Sequence, residues 1–334
     1  MTGSREISND GLLRIADRID QSGFSMSQAT PALYGKLLLT ALFWGGTWIA
    51  GRVAVQEALP LAVASWRFLL ASLVLGVLLV SHEGRPRWSL GQFLKLAALG
   101  LTGIFLYNLF FLYALKQVEA GRGALVTAFI PVVIALVDAL RLRQPMSPRK
   151  MLGIALALFG CLLVVTRGQP LQMFSGSVGP GEGLLMGTVA TWVIYTLISR
   201  QLSTQFSPLA MTFGACFTGW LMLTAAALMQ GSLFSLGEVS WRGGSAIVFL
   251  GLFGTAISFT WYSEAIGRIG TTRAAAFINL VPVFAVLLGA LILGERLGTA
   301  VLGGGVLVMI GVWLTNRAGA DGRNSKPQYV DEAA

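Results

Sequence analysis

Charge is what this sequence has least of. Only 12% of its 334 residues are Asp, Glu, Lys or Arg, where a soluble domain usually carries about 25%. So few charges cannot clothe an ordinary globular surface. Histidine is nearly missing: His82 stands alone, which excludes a His-rich metal centre. Cysteine is scarce as well. Cys161 and Cys216 lie inside apolar runs without CxxC spacing, which argues against a disulfide scaffold or a zinc site. No GxxxxGK[ST] phosphate loop occurs, so an ATP-driven pump is disfavoured. Paired carboxylates, a nucleophile with its base, and clustered metal ligands are likewise missing from the apolar segments. The sequence therefore gives no reason to expect an enzyme or a cofactor.

Apolar residues are what remains: 55% of the chain, with a mean hydropathy of +0.72. Such a composition makes lipid the relevant solvent, and spans of about 20 residues are then expected. Ten apolar segments can be placed, at 36–55, 61–81, 93–114, 121–140, 149–166, 182–201, 208–229, 244–265, 271–293 and 299–316. Pro60, Pro148 and Pro208 mark the openings of the second, fifth and seventh. Residues 1–34 read as a polar cytoplasmic tail with no signal-peptide pattern, within which Met26 offers an internal start. Residues 167–181 form a Gly-, Pro- and Ser-rich linker, and 318–334 a polar C-terminal tail. With ten spans, 17 of the Lys and Arg residues fall on the side of the two tails and 6 on the other, with Arg67 inside a span. Positive loops stay in the cytoplasm. The expectation is an integral plasma (inner) membrane protein with both termini cytoplasmic. The net charge of +9 then reflects loop placement and not nucleic-acid binding.

The two halves of the chain are related. At an offset of 151, Leu99-Gly100-Leu101-Thr102-Gly103 aligns with Leu250-Gly251-Leu252-Phe253-Gly254, Arg122 with Arg273, Pro131 with Pro282, Gly153 with Gly304 and Gly160 with Gly311. At an offset of 148, Trp44 aligns with Trp192, Arg52 with Arg200 and Pro60 with Pro208. Each copy holds five spans, an odd number, so the second must enter the membrane from the opposite face. Inverted repeats of this kind recur in secondary transporters, where a site between the repeats opens alternately to either side. The expected fold is all-α, ten transmembrane helices in two inverted five-helix repeats, at 36–166 and 182–317. The expected activity is that of a carrier. A receptor or scaffold that transports nothing is the alternative from a different class.

Several motifs carry a family resemblance. Ala41-Leu42-Phe43-Trp44-Gly45-Gly46-Thr47-Trp48 resembles the opening span of EamA-type members of the drug/metabolite transporter superfamily. Trp66-Arg67-Phe68 is similar to their second-span arginine motif. The string from Arg273 to Phe284, followed by Leu293-Gly294-Glu295-Arg296-Leu297, resembles their ninth span and its boundary glutamate. The resemblance covers about 36–317 and implies export of small metabolites; amino-acid exporters of the YddG type are among such proteins. One departure stands out: the first half has Arg143-Gln144 where the boundary Gly-Glu is expected.

Within the spans, Arg67 is the sharpest candidate. It lies seven residues after Pro60, about 10 Å into its helix at 1.5 Å per residue. A guanidinium at that depth is costly and favours a cavity or a partner, and it can bind a carboxylate bidentately. Snorkelling to the interface is the competing reading, and the repeat-related residue is Ala215. Glu264 and Asp138 are candidate proton-coupling groups, each read first as an interfacial ion-pair member. Glu295 reads as a salt bridge or helix cap on the outer boundary.

Rings and amides form the second candidate set: Trp44, Trp48, Tyr107, Asn108, Tyr113, Trp192, Tyr195, Trp261, Tyr262 and Asn279. Amphipathic rings at mid-span suit a cavity that sheathes a small solute while offering hydrogen bonds, although each alone is commonly core packing. Pro131 and Pro282 are candidate hinges. The 41 glycines, and the matched pairs Gly153/Gly160 and Gly304/Gly311 above all, read as helix-packing surfaces. The partners expected are a small-molecule solute, the bilayer and a proton as a candidate coupling ion, for a monomer or weak dimer. A nucleotide-sugar or lipid-linked substrate is the runner-up. Such polyanions call for several intramembrane cations, and the sequence offers only Arg67.

Overall fold

The computed structural model describes residues 30–142, 146–171, 179–234 and 239–324. The segment Arg143-Gln144, most of the N-terminal tail, the centre of the linker and the end of the C-terminal tail lie outside the described residues. Among the described residues, ten helical spans are long and apolar enough to cross a membrane. The first two are α1 (Pro31–Glu57) and α2 (Pro60–Glu83). The third consists of α3 (Leu90–Leu99), a π-helical stretch (Gly100–Leu106) and α4 (Tyr107–Leu115). The fourth is α5 (Ala120–Thr127) and α6 (Ile130–Leu142), and the fifth is α7 (Pro148–Val165). The second half repeats the series. α8 (Pro180–Leu202) and α9 (Pro208–Met229) come first. The eighth span is α10 (Trp241–Gly251), a π-helical stretch (Leu252–Ile257) and α11 (Ser258–Ile269). α12 (Thr271–Ile278) and α13 (Val281–Leu293) form the ninth, and α14 (Thr299–Asn324) holds the tenth.

Local chemistry explains where these helices begin. Proline opens α1, α2, α7, α8 and α9, a position where its missing N–H costs nothing and its fixed φ suits the helix. The Thr30 side chain accepts from Leu33 N at 3.3 Å, so α1 starts at Pro31, inside the stretch expected to be tail. α8 likewise starts at Pro180, within the expected linker. Ser89 forms a capping box with Gln92, and Ser240 caps α10; the two serines are 151 residues apart and hold the same place in each repeat.

The offsets reproduce the elements almost residue for residue. Shifting α5 and α6 by 151 gives 271–278 and 281–293, the bounds of α12 and α13. The two π-helical stretches also coincide to within one residue under that shift. Both copies therefore contain a widened turn in the same place, and both break a span just before its proline.

The fifth and tenth spans pair along their glycines. A Cβ added at Gly160 would meet the Gly304 carbonyl oxygen at 2.5 Å, and one at Gly153 would meet Thr315 Oγ1 at 2.6 Å and the Gly311 oxygen at 2.8 Å. Only hydrogen in place of a side chain permits this approach, through which dispersion contacts hold membrane helices together. Elsewhere the repeats interlock: α1 packs on α10 and α13, α2 on α9, and α4 on α8. One continuous apolar core runs through both halves.

Candidate functional site

α2 carries Arg67 into the interior, where the residue is 8% exposed. Its Nη1 donates to Asn108 Oδ1 at 3.0 Å, while Nε and Nη2 donate to Thr255 Oγ1 at 3.3 and 3.2 Å. The guanidinium carbon also lies 4.8 Å from the centroid of the Phe68 ring. The acceptors are oriented by their own bonds. Asn108 donates Nδ2 to Ile104 O at 2.8 Å, which turns Oδ1 toward the arginine. Thr255 donates its hydroxyl proton to Leu250 O at 2.9 Å, leaving its lone pairs for the guanidinium. Thr255 lies within the second π-helical stretch, and Ile104, which orients Asn108, lies within the first.

Arg67 thus ties α2 and the third span of one repeat to the eighth span of the other. All its hydrogen-bond acceptors here are neutral, and among the described residues it has no carboxylate ion pair. A guanidinium has five N–H donors; with three engaged here, donor capacity remains.

An aromatic wall runs beside it. Trp48 meets Phe111 edge-on at 4.8 Å between centroids, Phe111 stacks on Tyr107 at 5.8 Å, Tyr107 meets Trp192 at 5.0 Å, and Trp192 meets Tyr195 at 5.1 Å. Gly103 is required against Tyr195, because a Cβ there would lie 2.2 Å from Cδ2. A second group surrounds Trp44, whose ring packs on Phe259 and Tyr262 at 5.6 and 5.3 Å. Its Nε1 donates to Gly254 O at 3.1 Å, a carbonyl of the second π-helical stretch. Trp44 and Tyr262 line a shallow cleft with Leu37, Thr40, Ala41, Phe277 and Ile278.

The remaining candidates lie apart from these groups. Trp261 stacks with Phe43 at 6.0 Å, in a patch with Phe249 and Phe253. The Tyr113 hydroxyl accepts from Gln230 Nε2 at 3.4 Å, in an exposed setting beyond the end of α9. Asn279 is half-buried at the break between α12 and α13, and Pro131 and Pro282 sit just after the breaks of the fourth and ninth spans. Glu264 is bonded by Lys36 at 2.7 Å and Arg268 at 3.0 Å. Asp138 pairs with Arg200 at 2.8 Å. A separate cavity of about 320 Å³ opens between the fourth, fifth and sixth spans, lined by Phe129, Leu158, Cys161, Leu162, Val165, Gly183 and Met186 with Glu182 at its edge.

The two ends of the molecule differ. At one, Arg122 is 1% exposed and ion-paired with Glu182, and its Nε is 3.5 Å from Glu119. Glu295 accepts the free N–H groups of Ala120 and Gly121 at 2.7 and 2.9 Å, a carboxylate cap on the positive end of α5. Arg52 lies 3.7 Å from Glu295 and donates to the carbonyls of Leu115 and Val118. At the other end, the Lys36–Glu264–Arg268 and Arg200–Asp138 pairs are half-exposed.

Comparison with known proteins settles the family. The EamA-like transporter family matches residues 33–166 and 179–317, one match to each repeat. The chain belongs to this family. A Bacillus subtilis (strain 168) protein bearing the name "Uncharacterized transporter YyaM" is 28% identical over 84% of this chain and 92% of its own length. An "Uncharacterized transporter" of Archaeoglobus fulgidus is 27% identical over 84% of this chain and 97% of its own. The Escherichia coli (strain K12) protein "Uncharacterized inner membrane transporter YedA" is 28% identical over 79% and 84%. A solved crystal structure of 19% identity shares the fold, with a TM-score of 0.59 over 85% of this chain and 96% of that one. This EamA-family chain is an integral membrane transporter of ten helices in two repeats.

Arg122 counts among the outer-side charges at the start of the fourth apolar segment; the structure makes it the third residue of α5 and buries it fully. Its partner Glu182 was not singled out at all, nor was Thr255. A usable signal was present: Arg122 and Glu182 are opposite charges, each in the first turn of an apolar span, at the same end of the molecule.

Proposed function

We propose that this transporter is a secondary carrier that exports small carboxylate-bearing metabolites, amino acids foremost, by alternating access around Arg67. One observation carries the reading: a buried guanidinium between the repeats has only neutral partners. Burying a charge without a counter-ion is expensive, and a solute carboxylate would supply the missing charge through a bidentate contact. The rings from Trp48 to Tyr195 would cover the apolar part of the solute. We read the Lys36 end, where Trp44 and Tyr262 lie, as cytoplasmic and as the side from which the solute is taken up. The second buried arginine, Arg122, is already neutralised by Glu182 and adds no support for a polyanionic substrate.

The test is counterflow in proteoliposomes against a panel of amino acids, with and without a pH gradient. Counterflow of carboxylate-bearing solutes that disappears in Arg67→Ala supports the reading. A panel without any amino-acid signal removes the substrate class. The pH arm tests the proton as coupling ion; Glu264→Gln and Asp138→Asn then show whether either carboxylate takes part.

A further inference from the structure

The inverted repeat allows each end of the molecule to be compared with itself. At the Arg122 end, the Arg52 guanidinium closes on two carbonyls, those of Leu115 and Val118. The repeat-related residues at the other end are Arg200, Ile266 and Ile269. Arg200 does not reach those carbonyls here; it is 54% exposed and turned onto Asp138. The packing agrees. α5 packs against α13, whereas their counterparts α12 and α6 make no comparable contact. Of the fourth span's most apolar stretch 39% is buried, and of the ninth's only 17%. The structure is therefore shut at the Arg122 end and relaxed at the Lys36 end.

Exchanging the conformations of the repeats gives the opposite state, with Arg200 on Ile266 and Ile269 and Arg52 released. The charges do not exchange with it. Arg122 has a counterpart in Arg273, which is exposed. The counterparts of Glu119, Glu182 and Glu295 are Gly270, Tyr34 and Gln144, none of them acidic.

We propose that the chain has one ion-paired gate and one apolar gate, and that the Glu119–Arg122–Glu182 cluster is a lock that holds the Arg122 end shut by default. Glu182 belongs to α8 and Arg122 to α5, so the bond crosses from one repeat to the other. Separating buried partners leaves each charge uncompensated until water reaches it, so this end opens only together with its hydration. The half-exposed pairs at the other end are already solvated and separate easily. At that end the fully buried contacts, around Leu33, Leu37, Ala265 and Ala274, are apolar and already formed here, so closing it needs Arg200 on the Ile266 and Ile269 carbonyls and the desolvation of no buried ion pair. The proposal rests on alternating access but not on the identity of the solute.

Spin-label distances test it on the full chain in nanodiscs, with Cys161 and Cys216 replaced by Ala. Exposed sites give one pair per end: Gly183→Cys with Arg296→Cys at the lock, and Gln201→Cys with Gly267→Cys opposite. Glu182→Gln, nearly isosteric, should lengthen the lock-end distances and shorten the opposite ones. Glu119→Gln, at the half-exposed rim, should do so to a smaller extent. Arg122→Lys should keep the parent distribution, and Lys36→Gln should change neither. Adding Arg200→Gln to Glu182→Gln should abolish the new population. Equal shifts from Lys36→Gln and Glu182→Gln overturn the lock and leave alternating access standing. If folded Glu182→Gln and Glu119→Gln both keep the parent distances, the lock is refuted. A chain that shows one distance per pair in every variant, with and without solute, refutes alternating access itself.

Discussion

Arg67 Nη1 donates to Asn108 Oδ1 at 3.0 Å, and Asn108 in turn donates to the Ile104 carbonyl at 2.8 Å. The asparagine is thereby fixed with its acceptor toward the arginine. Asn108→Leu removes that acceptor without altering the charge. A hydrogen bond to a charged group contributes about 1.5–3 kcal/mol, so thermal unfolding in detergent should shift down accordingly. KM for a carboxylate solute should change more than kcat, because the guanidinium loses its orientation. A variant with parent KM would show that Asn108 does not position it.

Arg67→Met should behave differently. No carboxylate is stranded by the change, and an apolar side chain of similar length replaces a charge that is expensive to bury. The melting temperature should hold or rise while counterflow of carboxylate-bearing solutes is lost. A sharp loss of stability would mean that the arginine is chiefly structural.

Arg122→Met is the contrasting case. It leaves Glu182 buried and unpaired, a situation that costs about 3–5 kcal/mol. The same thermal assay should therefore rank Arg122→Met far below Arg67→Met, and Arg122→Met with Glu182→Leu should recover most of the difference. Equal stabilities for the two single variants would contradict the ion-pair geometry.

The glycine seam gives a prediction independent of transport. Gly160→Ala puts a methyl group 2.5 Å from the Gly304 oxygen, and overpacking of this kind costs about 1–3 kcal/mol. Gly303→Ala, on the same pair of spans, meets nothing within 4 Å. It should be neutral or stabilising by about 0.5–1 kcal/mol, the usual helix preference for alanine. Unfolding midpoints that order the two variants the other way would sink the assignment.

Pro131→Ala and Pro282→Ala restore a backbone donor just after the breaks in the fourth and ninth spans. Transport should slow in both while the protein remains folded and monodisperse. Unchanged rates in both variants would remove the hinge reading.

Periodic strong signals made the spans readable from residues alone. Ten apolar runs bounded by proline and charge gave boundaries close to those observed, and two constant offsets showed the duplication. The start of α1 at Pro31 escaped notice because Thr30 and Pro31 act through capping, not through hydropathy. The π-helical stretches escaped too, since a widened turn changes backbone bonding without changing apolar character. In the site, Arg67 stood out as a solitary charge in an apolar run. Thr255 did not, because a threonine in a membrane helix ordinarily bonds its own backbone, as Thr40 does with Lys36 O. Arg122 and Glu182 were missed for a related reason: each looks like a span-end charge, and only their approach across 60 residues of sequence makes them a buried pair. Asp138 shows the same limit, pairing with Arg200 at a distance of 62 residues.

The place of Arg67 in the first repeat is taken by Ala215 in the second. A homodimer of one five-span unit would bring such a guanidinium to the assembly twice or not at all, and two unpaired cations facing one solute would repel each other. Joining the copies in a single chain frees the halves to differ. One carrier can then hold one arginine, the stoichiometry that the proposed carboxylate calls for, while the rest of the scaffold keeps the symmetry that the proposed alternating access requires.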